Sequence, residues 1–194
     1  MNLRTERLEL EPVSVANAVT MWNLMQEPYL REFQDVPRYG CSEFIKRVRE
    51  RPARFNGRSS GRFEWIIQPI GWNGPVGWVS LRIGEGGRAI AEIGYTLRVE
   101  GRGLGFATES VGRIIEFAFA EAGLTRIEAC CVPENLSSRR LLDRIGFKFS
   151  RRQRNGAVVA GRPVDVMIYS VARRQWRAQA SSAKAMEMPA SANP

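Results

Sequence analysis

Two stretches of the chain carry residue types and spacings that can do chemistry. The first is Arg102-Gly103-Leu104-Gly105-Phe106-Ala107-Thr108-Glu109, with another glycine at 101. Glycines at 101, 103 and 105 let backbone pass close to a ligand, because no Cβ stands in the way. The alternating residues 91–98 lead into this run. An amphipathic stretch, Ser110 to Ala122, leads out of it, with Ile114, Ile115, Ala118 and Phe119 in phase with Val111. The pattern is strand, glycine-rich turn, helix. A helix start gathers unpaired N–H groups and the positive end of the dipole, a setting that suits a pyrophosphate. Glu92 lies in the leading strand; burial among apolar strand residues would raise such a carboxyl toward the range a general base needs. The second stretch is Asn135-Leu136-Ser137-Ser138-Arg139-Arg140, which follows a strand at 126–132 and opens a short helix.

Other chemistries are excluded. A Walker A loop ends in Gly-Lys-Ser/Thr, whereas this one runs Gly105-Phe106-Ala107. A dinucleotide fingerprint spaces its glycines G-x-G-x-x-G, and here the spacing is G-x-G-x-G. The chain has no histidine, which removes Ser-His-Asp triads, Cys-His pairs and His-ligated metals. Cys41, Cys130 and Cys131 fit no metal-ligand spacing, so no metal is expected, and Cys130 and Cys131 read as buried free thiols. The formal charge of +9 has two readings. It steers an acidic partner such as a nucleic acid, a ribosome or an acidic protein, or it is solvated charge plus the cations an anionic ligand needs. The second is preferred, because no interleaved aromatic–basic array stands out.

Arg102-x-x-Gly105-x-Ala107 resembles the acetyl-CoA loop of the GNAT acetyltransferase superfamily. Asn135-x-x-Ser138, a short helix and Gly146-Phe147 resemble its second cofactor motif. With Phe106-Ala107-Thr108-Glu109 and Pro133-Glu134-Asn135, the whole is most similar to the RimJ/RimL-type protein N-acetyltransferases, over roughly residues 3–172. The resemblance implies transfer of the acetyl group of acetyl-CoA to a primary amine, a protein N-terminal α-amine first and a small-molecule amine second. A silent CoA-binding or interaction module is the alternative from another class. The resemblance also assigns roles. Arg102, Gly103, Leu104, Gly105, Phe106, Ala107 and Thr108 would hold the pyrophosphate, and Leu97, Arg98 and Val99 would pair main chain with the pantetheine amides. Glu92 would face the acceptor amine as base, with an exposed strand glutamate paired to an arginine such as Arg82 or Arg98, and water taking the proton, as the alternative; Ser138 would serve the leaving thiolate as acid or orienting group. Asn135 would bond the pantetheine arm or fix the turn, and capping is the plainer role for Asn135 and Ser138. Arg140, with Arg139 and Arg144 as alternatives, would meet the 3′-phosphate. The chain departs from the pattern once. Residues 148–154 carry no glutamate where RimJ/RimL-type sequences often have one, although Asp165 matches an aspartate near the start of the last strand. The acceptor therefore stays open.

The elements that position these residues follow from periodicity. Arg7 to Glu11 alternates as a first strand. Ser14 caps a helix from Val15 to about Met25, with Val15, Ala18, Val19, Trp22 and Met25 inward. Residues 28–40 form an aromatic-containing loop, which the resemblance implies borders the acceptor pocket; aromatics that plug the core edge are the plainer reading. A basic helix begins at Ser42, with Phe44, Ile45 and Val48 inward. Strands at 63–68, 76–83 and 91–98 follow, the first two joined at Trp72-Asn73-Gly74. The last two strands, 148–154 and 164–172, are separated by turn signals at Asn155-Gly156 and Gly161. The expected fold is a mixed α/β GNAT fold, with a mostly antiparallel sheet of about seven strands flanked by about four helices. Residues 1–176 read as one domain and 177–194 as a mobile Ala/Ser-rich tail. No apolar stretch is long enough for a membrane span and no signal core is present, so a cytoplasmic monomer or homodimer is expected.

Overall fold

The structure, a computed structural model, describes residues 1–33, 39–51, 60–84 and 89–178. β1 (Leu3–Arg4) and β2 (Leu8–Pro12) form a hairpin; β1 is too short to show alternation in the sequence. α1 (Ala18–Leu24) begins later than predicted, with Asn17 rather than Ser14 at its N-cap position. Its buried stripe is Ala18, Met21 and Leu24, so Val15 and Val19, predicted inward, face solvent. Moving the start rotates the inward face onto the i, i+3, i+6 set. A 3-10 turn, Pro28–Glu32, leads toward α2 (Cys41–Arg49), which buries Phe44 and Val48.

β3 (Gly61–Pro69), β4 (Gly77–Ile83) and β5 (Ile90–Leu97) make an antiparallel meander. α3 (Phe106–Ala120) then crosses to β6 (Arg126–Cys131), and α4 (Leu136–Arg144) leads to the hairpin of β7 (Lys148–Val159) and β8 (Arg162–Ala172). Among the described residues the order is β1-β2-β3-β4-β5-β6-β8-β7, eight strands where about seven were expected, with α1–α4 and a further short helical segment at 173–178. Asn155-Gly156 is not the hairpin turn. It lies inside β7 at a register irregularity, where the Asn155 N–H donates to Asp165 Oδ1 at 3.0 Å. The chain reverses at Ala160 and Gly161, both at positive φ (50° and 77°).

The sheet is covered on both faces. Trp65, Ile67, Val79, Leu81 and Ile93 pack in one core with Val111, Ile114, Ile115 and Ala118 of α3. Ile66 and Trp78, on the opposite face by strand alternation, pack with α1 and α2. Those four α3 side chains are fully buried. At roughly 1.5–3 kcal/mol per large aliphatic side chain, this burial fixes the helix and so the position of its N-terminus.

One feature of the sheet sets up the site. Among the described residues, β5–β6 is the single parallel pair, and it spans only Ile90↔Arg126, Ala91↔Ile127 and Glu92↔Glu128. Beyond Glu92 the two strands part. β5 continues to Leu97 without pairing to β6, and a seam opens between the two strands. A helical turn follows β8 at 173–178. Beyond Ala178 the expected tail lies outside the described residues. Among the described residues no helix is long and apolar enough to cross a membrane.

Candidate active site

The glycine loop closes one end of the seam. A 3-10 turn, Val99–Gly101, follows β5, and Gly103 and Gly105 then adopt positive φ of 77° and 83°. Gly105 is the N-cap of α3, whose first intrahelical bond runs from Glu109 N–H to the Gly105 carbonyl at 3.1 Å. Phe106, Ala107 and Thr108 therefore have N–H groups with no partner inside the helix. Left-handed glycines followed by free amides are a cradle that fits a phosphate. Gly101 has a packing reason instead, since a Cβ there would stand 2.9 Å from Val76 Cβ.

The residues expected to line pantetheine are placed differently from one another. β5 ends at Leu97, so Arg98 and Val99 do not continue the strand. The Arg98 N–H is donated to Val76 O at 2.7 Å, and its side chain pairs with Glu27 and Glu100 at 3.0 and 3.1 Å. The strand backbone beside the seam is residues 93–97, shifted back from 97–99 because the 3-10 turn begins at Val99. Arg102 points its guanidinium over the Tyr29 ring, 4.6 Å from the centroid, and donates from Nε to Leu97 O at 3.3 Å. What Arg102 offers an anion is its main chain.

Glu92 is the last residue of β5 paired with β6, so its side chain stands where the seam opens. Register with Arg82 puts it on the face that carries α1 and α2. Arg82 Nη2 holds its Oε2 at 2.6 Å, and the Cys130 thiol faces its Oε1 at 3.6 Å. The expected apolar burial is not found. The Glu92 side chain is 39% exposed, because α1 and α2 cover Ile66 and Trp78 and leave this part of the face open. Cys130 shares that open face and is exposed, not buried as expected; Cys131 is buried.

Ser138 lies across the seam, on the α4 side. Asn135 is the N-cap of α4, and its Oδ1 accepts from Ser138 N–H at 3.0 Å and from the Ser137 hydroxyl at 2.9 Å. The Ser138 hydroxyl is 2.8 Å from the Tyr95 hydroxyl, which also lies 3.3 Å from the Ser138 carbonyl. Burial pushes the Tyr95 hydroxyl well above the ordinary tyrosine range, so it remains a neutral donor. Burial also pushes the neighbouring Cys131 thiol up, against a hydrogen bond with Ser138. Sequence reasoning missed Tyr95, since an aromatic in an alternating strand looks like core.

Three further placements matter. Arg139 is turned inward, donating to Pro133 O at 3.2 Å and the Tyr169 hydroxyl at 3.4 Å, whereas Arg140 and Arg144 are exposed. Asp165 braces the β7 irregularity through the Asn155 amide and Arg152, which together hold its carboxyl below the usual range. The aromatic loop reaches the α1–α2 face, where Phe33 packs on Val132, Val166 and Ile168 of the far strands; residues 34–38 lie outside the described residues. Among the described residues no three His, Cys, Asp or Glu side chains converge as a metal site.

Comparisons with known proteins agree with this geometry. Residues 7–148 match the family model described as acetyltransferase (GNAT) domain. The chain is 27% identical over 178 residues to the uncharacterized N-acetyltransferase p20 of Bacillus licheniformis, covering 90% of this chain and 97% of that one. Its fold is similar to that of RimL, a ribosomal L7/L12 α-N-protein acetyltransferase solved with coenzyme A. The TM-score is 0.77 at 19% identity, over 89% of this chain and 98% of RimL. The ribosomal-protein-S5-alanine acetyltransferase of Vibrio fischeri gives a TM-score of 0.78 at 19% identity, over 91% of this chain and 98% of that one. The family match over residues 7–148, most of the chain, leads to one conclusion: the protein belongs to the GNAT family of N-acetyltransferases.

Proposed function

We propose that the protein transfers the acetyl group of acetyl-CoA to a protein N-terminal α-amine in the cytoplasm. The observation that carries this reading is the seam. Along it stand the glycine cradle, the β5 backbone past its last β6 partner, Glu92 on one face and the Ser138–Tyr95 pair on the other. When bound, acetyl-CoA supplies a thioester, an acyl group activated toward amines. The loop amides of residues 103–108 hold the pyrophosphate, with Arg140 available to the 3′-phosphate, and β5 backbone N–H groups beyond Glu92 polarise the carbonyl. The amine enters from the α1–α2 face between the seam and the Tyr29–Phe33 loop. Glu92 Oε1, with Oε2 kept on Arg82, takes its proton directly or through one water. On the opposite face the Ser138 hydroxyl turns its hydrogen toward the departing sulfur, and Tyr95 donates to Ser138 Oγ in its place. The placement of base and acid on opposite faces matches a direct transfer across the sheet. The N-terminal acceptor is supported by the resemblance and by the ribosomal-protein acetyltransferases among the structural neighbours.

The Arg82–Glu92 ion pair favours a second arrangement, in which Glu92 is structural and water alone carries the proton. An α-amino group, with a pKa of about 8, makes that feasible. Glu92→Gln separates the two. Thiol release with N-terminal peptides and with free small amines would be followed across pH, with peptide mass as the second readout. A general base contributes on the order of 10²–10⁴-fold, so the variant should lose at least about 100-fold in kcat/KM near neutral pH while keeping its affinity for acetyl-CoA. An unchanged rate at every pH would assign the proton to water. Transfer to small amines with none to peptides would overturn the acceptor.

A further inference from the structure

The N-terminal hairpin reaches the glycine loop, and one side chain makes the connection. Arg7 sits in the turn between β1 and β2. Its Nη1 donates to the Leu104 carbonyl at 3.1 Å, and its Nε donates to Glu109 Oε2 at 2.8 Å. Nη2 lies 2.6 Å from the same Oε2. The Arg7 backbone N–H donates to Glu109 Oε1 at 3.1 Å, and the Thr5 hydroxyl donates to that oxygen at 2.5 Å. The guanidinium also lies 5.2 Å from the centre of the Phe106 ring, and a Cβ on Gly105 would stand 3.2 Å from Nη2. Arg7 thus touches or borders three residues of the proposed pyrophosphate cradle, 104, 105 and 106, and is held by Glu109 just beyond it.

We propose that Arg7 is a positioning residue for the phosphate loop, holding the Leu104 carbonyl so that the Gly105 N–H faces the pyrophosphate of CoA. A trans peptide is planar, with its C=O and N–H pointing in opposite directions. A Leu104 carbonyl drawn to Arg7 therefore sends the Gly105 N–H to the other side of the chain. The clamp is needed because this peptide plane turns about φ of Gly105, which is positive, and glycine resists such rotation least. Glu109 and Thr5 in turn fix the clamp. Partial burial pushes the Glu109 carboxyl up, but the Thr5 hydroxyl and the Arg7 side chain and amide outweigh it and hold the carboxyl below the ordinary range. Glu109 stays charged, and its charge balances that of Arg7. The guanidinium then acts by orienting backbone rather than as the phosphate's own counter-ion.

This inference rests on the CoA reading, and the test keeps the two apart. Calorimetry would compare CoA with pantetheine, which lacks the pyrophosphate, on the wild type, Arg7→Gln and Glu109→Gln. Loss of one oriented amide–phosphate bond weakens CoA by about tenfold. Arg7→Gln should show that loss with pantetheine affinity unchanged. Glu109→Gln, which leaves Arg7 in place but unanchored, should show a smaller loss of the same kind and carries the test where Arg7→Gln does not fold. Arg7→Lys, able to reach the Leu104 carbonyl, should recover part of the CoA affinity. Equal CoA affinity in the wild type and Arg7→Gln, or parallel losses for CoA and pantetheine, would overturn the assignment of Arg7. A wild type that binds neither compound would overturn the CoA reading itself, and the Arg7 assignment with it.

Discussion

Replacing Gly105 by alanine should weaken the fold by an amount that the structure sets. Gly105 caps α3 at φ 83°, ψ −4°, in the left-handed region. A residue with a Cβ spends about 1–2 kcal/mol there. For a chain of this size each kcal/mol lowers Tm by roughly 2–4 °C, so the backbone contribution alone predicts a fall of about 2–8 °C. A second contribution comes from the new methyl, which would stand 3.2 Å from Arg7 Nη2. The guanidinium can retreat by a few tenths of an ångström, but doing so stretches its 3.1 Å bond to the Leu104 carbonyl. Gly103→Ala is the internal control. Gly103 has a similar φ of 77°, and a Cβ there would meet nothing within 4 Å. Thermal and urea unfolding of the two variants would therefore give similar backbone costs, with Gly105→Ala the worse by the Arg7 contribution. A Gly105→Ala protein as stable as the wild type, or a Gly103→Ala protein less stable than Gly105→Ala, would refute the reasoning.

Asn135→Ala removes the side-chain cap of α4 and should cost about 1 kcal/mol, read as a Tm lower by roughly 2–4 °C. Arg51→Ala leaves the buried Glu64 with Arg62 alone; breaking a buried pair costs about 3–5 kcal/mol, and urea unfolding should show a loss near the lower figure. Glu109 gives a pH prediction. Its folded pKa is depressed, so its stabilisation is complete above the unfolded value of about 4.3 and is lost as pH falls through the folded value. Tm measured from pH 6 down to pH 3 should fall less steeply in Glu109→Gln than in the wild type, and identical slopes would exclude this contribution.

The sequence carried the parts of the site whose signals are local. The glycine loop and the Asn135 cap showed in the residues themselves, because positive φ and capping each demand particular side chains. The amphipathic α3 was legible from its 3.6-residue period over fifteen residues, a length at which phase errors average out. Over the seven residues of α1 they do not, and a later start turned Val15 and Val19 outward. What was not legible is what depends on long-range register. Tyr95 meets Ser138 across 43 residues, and Arg7 meets Glu109 across 102. Neither of these pairs leaves a local pattern. The exposure of Glu92 and Cys130 likewise depends on how far α1 and α2 extend over the sheet, which no strand alternation encodes. Asn155-Gly156 misled for the opposite reason: its turn chemistry is real, but in β7 it serves a bulge held by Asp165.

The central claim is that the seam between β5 and β6 and the glycine loop together form a CoA site. The most direct test is titration of the protein with acetyl-CoA, followed by backbone amide NMR. The account predicts saturable shifts concentrated at residues 93–97, 103–109 and 135–138, on both sides of the seam. Saturable binding with its shifts elsewhere on the molecule, or no binding at all, would contradict it.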